Sequence, residues 1–278
     1  MTGALAPALV LQASLLLSAG GPPSPTFEDR VRAATARFRD RQAAILAGYR
    51  LIGEDFPGMG EHWVNIGLLF DGRYDPDRPE FLSYVVIDGK PCLTGVAYGL
   101  PLLAGELPPE APAGRSAWHD HAGTIDGETL LPHHHQADHA EHGPRLAMLH
   151  AWVWLPNPEG TFAADNWALP YFRLGRTPPP GAPAAAGRAL SLVTGGDGHL
   201  ARAVKAADPL PAERQRLVDD AIARARAEVE GILRGRPGTE LAAADAGRLE
   251  ATWSALWREI AGLLPVEVMD QLRQSAAH

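Results

Sequence analysis

Eight of the chain's eleven histidines fall between His119 and His150, and five of them stand within HHHQADHAEH, residues 133 to 142. A neutral imidazole is the commonest protein ligand for zinc and copper, so this density raises metal chemistry first. Within WHDHAG, His119 and His121 are two apart. On a strand, residues i and i+2 project to one face, so this pair suits a single ion. Further on, His135, His139 and His142 are spaced four and three apart, which stacks them on one side if the segment is helical. The glutamate of an H-E-x-x-H arrangement is missing there, which excludes a zincin and leaves these three as weak recruiters of metal.

His62 and His150 carry a different signal. Each sits inside an apolar run, MGEHWVNIGL and AMLHAWVWL. There an imidazole costs free energy unless a ligand or hydrogen bond satisfies it, and two such residues invite a shared partner. The metal set read from the sequence is therefore His62, His119, His121 and His150, with Trp63, Trp118, Trp152 and Trp154 expected around it. Glu61 and Asp120 are each one residue from a candidate ligand, so alternation turns them to the opposite face. They are expected as partners outside the coordination sphere rather than as ligands. Asn157, Asp165 and Asn166 stand in a Pro/Gly-rich stretch and are read as turn-formers. Cys92 is the one cysteine, so intrachain disulfides and Cys-based zinc clusters are excluded. A lone cysteine in a strand-like run is read as a small core residue. An all-histidine set suits copper or zinc best, with non-haem iron as a further candidate.

Elements must hold these residues in place. SPTFEDRVRAATARFRDRQAAILAGY predicts an amphipathic helix, with Thr26 as N-cap, apolar residues at Phe27, Val31, Ala34, Phe38 and Ile45, and an end near Gly48. From Gly58 the pattern turns to strands: HWVNIGLLF, EFLSYVVI and PCLTGVAYGL, the last two joined at Asp88-Gly89, a strong hairpin signal. Residues 101 to 145 form a long Pro/Gly/His-rich connection, and RLAMLHAWVWL returns to a strand. TPPPGAPAAAG opens a linker over 176 to 210. Two helical runs finish the chain, one striped by Leu217, Ala221, Ala225, Val229 and Ile232, the other by Leu249, Trp253, Leu256, Trp257 and Ile260. The expected fold is α+β: a central antiparallel sheet with an N-terminal helix, spanning 26 to 175, and a helical C-terminal extension over 211 to 275.

Residues 4 to 19 form an apolar stretch followed by GGPPSP, too short to span a bilayer comfortably and read, with residues 1 to 22, as a signal peptide. No Lys or Arg precedes Arg30, so the usual basic start is missing. Export to the periplasm or the outside is the expectation, with no membrane attachment after signal removal. With 46% hydrophobic and 21% charged residues the chain can form a core, and a formal net charge of −8 argues against nucleic acid as a partner.

Four segments together, ATARFRDRQAAILAGY, PGMGEHWVN, DPDRPEFLSYVVIDGKPCLTGVAY and LHAWVWLPNPEGTFAADNW, resemble a group of uncharacterised, mostly secreted bacterial proteins. The group is marked by G-M-G-x-H-[YFW]-[VI]-N and L-H-x-W-x-W-x-x-N-P-x-G-x-F segments. The resemblance covers about residues 33 to 170. It implies export and one α+β domain in which His62 and His150 occupy motif positions. The chain departs at Ala97, where the group's G-V-E-Y segment carries Glu; if that Glu is a ligand, the 119/121 pair replaces it here or the site has changed.

Three functions follow. The first is an exported metalloprotein whose ion serves as Lewis acid, water activator or redox centre, with the substrate open. The second is a periplasmic metal carrier or sensor without turnover. The third is a structural protein, a homo-oligomer assembled through its C-terminal helices. No nucleophile elbow or phosphate loop is present, so hydrolase-triad and nucleotide readings fall away.

Overall fold

The computed structural model describes residues 25–121, 133–134, 145–207, 210–236, 238–266, 268–269 and 272. The expected signal peptide and His135, His139 and His142 lie outside the described residues. The fold is the expected α+β arrangement, a seven-stranded antiparallel sheet flanked by helices. Its strands are β1 (Arg50–Phe56), β2 (Gly60–Val64), β3 (Phe81–Ile87), β4 (Lys90–Leu102), β5 (His119–His121), β6 (His133–His134) and β7 (Arg145–Ala151), in the spatial order β1-β2-β3-β4-β7-β5-β6.

The N-terminal helix starts as predicted, the Asp29 N–H donating to Thr26 Oγ1. It is not one rod, however. Helix α1 (Phe27–Thr35) tightens into a 3-10 turn at Ala36–Arg39, and Asp40 then caps a second helix, α2 (Arg41–Leu46), by accepting from the Gln42 N–H. The break follows from that aspartate, whose side chain serves a new helix start better than a helix interior. HWVNIGLLF likewise divides. The strand stops at Val64, and Asn65 caps the short helix α3 (Ile66–Leu69).

Asp88 and Gly89 both take positive φ, as the tight turn between β3 and β4 requires. Cys92 lies on β4 and is only half-buried, so it is not a core residue. One face of the sheet carries Trp63, Leu82, Tyr84, Val96, Tyr98, Ala147 and Leu149, and packs against Val31, Phe38 and Ala44 of the N-terminal helical segment. The other face carries Val64, Phe81, Ala97, Leu146 and Met148 under Leu69 of α3. Each fully buried valine, leucine, phenylalanine or methionine among them contributes about 1.5–3 kcal/mol.

The second core is helical. Helices α4 (Leu169–Arg173), α5 (Ala184–Ser191), α6 (Gly196–Ala207), α7 (Ala212–Leu233) and α8 (Ala243–Leu263) share one apolar cluster that includes Leu190, Val204, Val229, Leu249 and Leu256. The expected linker over 176 to 210 is therefore corrected: it contains α5 and α6, whose Ala186, Ala189, Leu190 and Val204 are buried. Alanine-rich sequence reads as linker by composition but has the highest helix propensity and permits close helix packing. The α7 stripe is also shifted: Val218 and Ile222 are buried with Ala221, Ala225, Val229 and Ile232, and Leu217 is exposed. Ion pairs tie the two parts together, Arg173 with Asp55 and Arg202 with Glu54. No helix among the described residues is long and apolar enough to cross a membrane.

Candidate metal centre

Register decides which side chains share a face. On β2, His62 pairs with Ser83 of β3, which pairs with Gly95 of β4. One row along, Phe81 pairs with Ala97, and Ala97 with His150 of β7. In the next row, Gly99 pairs with Met148, and Met148 with His119 of β5. Directly paired residues point the same way, so these rows put His62, His150 and His119 on the face that also carries Phe81, Ala97 and Met148.

The imidazoles meet there. The ring centroids of His119 and His150 are 5.2 Å apart, edge to face, and those of His62 and His150 are 5.6 Å apart. His62, His119 and His150 are 6%, 5% and 3% exposed. Two imidazoles on one tetrahedral ion, each with a metal–nitrogen distance of about 2.0–2.1 Å, hold their ring centroids about 5 Å apart, so both spacings fit a shared ion. Arriving from opposite sides, His62 and His119 make His150 the common member. Among the described residues, no group of three or more His, Cys, Asp or Glu side chains is already placed to hold a metal ion. The backbone of His121 pairs with Leu146 and His133 at the next row; its side chain lies outside the described residues.

Small residues make the approach of His62 and His150 possible. Between them on the sheet stand Ser83, Gly95 and Ala97. A Cβ on Gly95 would lie 2.7 Å from the Ala151 carbonyl oxygen and 3.3 Å from Trp152 Cα. Only glycine admits the backbone of residues 151–152 so close. That crossing brings the Trp152 ring to 6.0 Å from His150, while the Phe56 ring stands 6.1 Å from His62.

Electrostatics keep His62 neutral. Burial lowers its pKa to about 4, and a hydrogen bond with the Gly60 backbone and the charge of Asp55 oppose that shift without cancelling it. The neutral ring is the form that ligates a metal.

The residues beside the histidines are engaged elsewhere. Glu61 accepts from Arg41 and from Trp63 Nε1, and Trp63 belongs to the opposite core. Asp120 pairs with Arg145 at 2.8 Å, buried, while the same guanidinium donates to the Leu103 and Glu106 carbonyls. Among the described residues both acids thus turn to the face opposite the histidines, and the expectation that they support the ligands is corrected. The aromatic lining is corrected too. Trp118 meets Tyr74 edge to face, Trp154 donates to Thr35 Oγ1, and of the four expected tryptophans only Trp152 flanks His150 among the described contacts. Asn157 and Asn166 act as turn-formers, Asn157 donating to the Asp165 carbonyl while Asn166 bridges the Pro156 carbonyl and the Ala168 N–H.

Two contributors escaped the sequence reading. Phe56 ends β1 and touches both His62 and His199 of α6. His199, whose Nδ1 lies 3.2 Å from Glu54, lines a cavity with Asp165, Trp167, Arg188 and Trp253. Aspartate, arginine and histidine spread over a loop and two helices carry no spacing signal. Compared with family models, curated proteins and solved structures, the chain matches none.

Proposed function

We propose that the chain is an exported metal-binding protein whose ion, copper or zinc, is held by His150 with His62 and His119. The observation that carries this reading is the placement of His150 at centroid distances of 5.2 and 5.6 Å from two other buried imidazoles drawn from separate strands. Binding turns the outer rings toward a common point beside His150. Buried neutral nitrogens leave the full charge of the ion uncompensated, and no carboxylate of the described residues that flank the histidines in sequence faces it. A monovalent copper ion, or a zinc ion that brings its own hydroxide, suits such a set best. Three protein ligands leave a position for water, which a bound zinc or copper ion would acidify or activate. Burial favours a resident ion over a surface scavenger, and enzymatic use of it remains part of the proposal rather than a separate one.

Elemental analysis of protein purified without a histidine tag or a nickel step tests the reading. About one equivalent of copper or zinc supports it. Protein that stays metal-free after incubation with either ion, and shows no change in thermal stability, overturns it.

A further inference from the structure

A cavity lies across the Phe56 ring from His62, between the β1–β2 turn and helices α5, α6 and α8. Its empty volume is about 550 Å³ counted out to its open mouth, and its walls are mainly apolar, with Trp167, Leu200 and Trp253 among them. Three charged or titratable side chains interrupt these walls: Asp165, Arg188 and His199. Arg188 is half-buried, forms no ion pair among the described residues, and its Nε is buried without an acceptor. Asp165 likewise forms no ion pair there. An acid and a base thus face one apolar chamber without neutralising each other directly. Such an arrangement holds binding capacity for a molecule that carries both charges, because buried charges are satisfied best by a paired, hydrogen-bonded partner.

We propose that this cavity binds a small zwitterion with an aliphatic body, an α-amino acid of about the size of leucine. Arg188 takes the carboxylate, Asp165 takes the ammonium, and the side chain lies between Trp167 and Trp253. Burial raises the Asp165 pKa to about 6 against the opposing pull of Arg188, and an ammonium partner would relieve that burial cost. His199 is already oriented by Glu54 and is kept toward its neutral form by burial, so it adds a hydrogen bond without adding a third charge. The inference stands without the metal reading, because none of these residues is among the proposed ligands.

Calorimetry and tryptophan fluorescence of the full chain with L-leucine, N-acetyl-L-leucine and isoamylamine test it. Leucine is expected to bind with a Kd of about 1 mM or tighter, and each truncated probe about tenfold weaker or more. Arg188→Gln and Asp165→Asn are each expected to weaken leucine about tenfold. Ala203→Leu, which fills the cavity from α6, is expected to abolish binding in a folded protein and covers the case in which a charge variant fails to fold. Failure of leucine to bind at about 10 mM overturns the proposal. So does equal affinity for all three probes, or leucine binding that survives Ala203→Leu.

Discussion

The imidazoles of His62 and His150 lie with ring centroids 5.6 Å apart although β3 and β4 separate their strands in the sheet. Large side chains at the intervening positions would hold them apart. Ser83, Gly95 and Ala97 stand there instead, and the two rings lean toward each other over this low floor.

Ala97 is directly paired with His150, so a longer side chain at this position would enter the same space. Ala97→Glu is expected to tighten copper or zinc binding about tenfold or more, because a carboxylate would offset the charge of the ion. The same substitution is expected to destabilise the metal-free protein, since Ala97 is fully buried and an unpaired carboxyl there has no water. Chelator competition and thermal melts, with and without metal, check both signs. Unchanged affinity would show that the ion lies elsewhere.

The Asp120–Arg145 pair lies on the opposite face, its side chains 10% and 4% exposed. Asp120→Ala leaves a buried guanidinium without its charge partner and is expected to cost about 3–5 kcal/mol in urea unfolding. The strand that carries His119 loses its anchor to β7, so metal affinity is expected to fall as well. Asp120→Asn keeps an acceptor for Arg145 and is expected to cost less.

Glu80 gives the fold a pH dependence of its own. It is 1% exposed, accepts from the Gly99 N–H, and burial pushes its pKa up to about 8. Unfolded, a glutamate titrates near about 4.3. Between those values the folded chain holds a proton that the unfolded chain has released. The contribution of Glu80 to stability is therefore fully present below about pH 4 and falls as pH rises to about 8, by at most about 1.4 kcal/mol per pH unit. Glu80→Gln is expected to flatten that decline, and urea midpoints at about pH 5, 6.5 and 8 measure it.

What the sequence made legible was local. Asp88-Gly89 predicts a hairpin, and β3 and β4 form it, whereas β5 lies inside the stretch read as a long connection, its three residues too short a run to show a strand pattern. His62 and His150, singled out for their apolar surroundings, do come together. Parity would have corrected two of the four tryptophans in advance, though not Trp154, which shares the parity of His150. Trp63 follows His62 by one position and Trp118 precedes His119 by one, so alternation assigns both to the opposite face, whereas Trp152 shares that of His150. The rest was not local. Nothing near Phe56 signals its place between His62 and His199, and the alanines of α5 look like linker until α8 packs on them.

The most direct test of the central claim compares two proteins loaded with copper or zinc and then dialysed. One carries His150→Ala; the other has His133, His134 and His135 replaced by alanine. The account predicts that His150→Ala loses the bound ion and that the triple replacement keeps it at the wild-type ratio. Retention by His150→Ala, with loss from the triple replacement, would contradict it and assign the metal to the histidine tract instead.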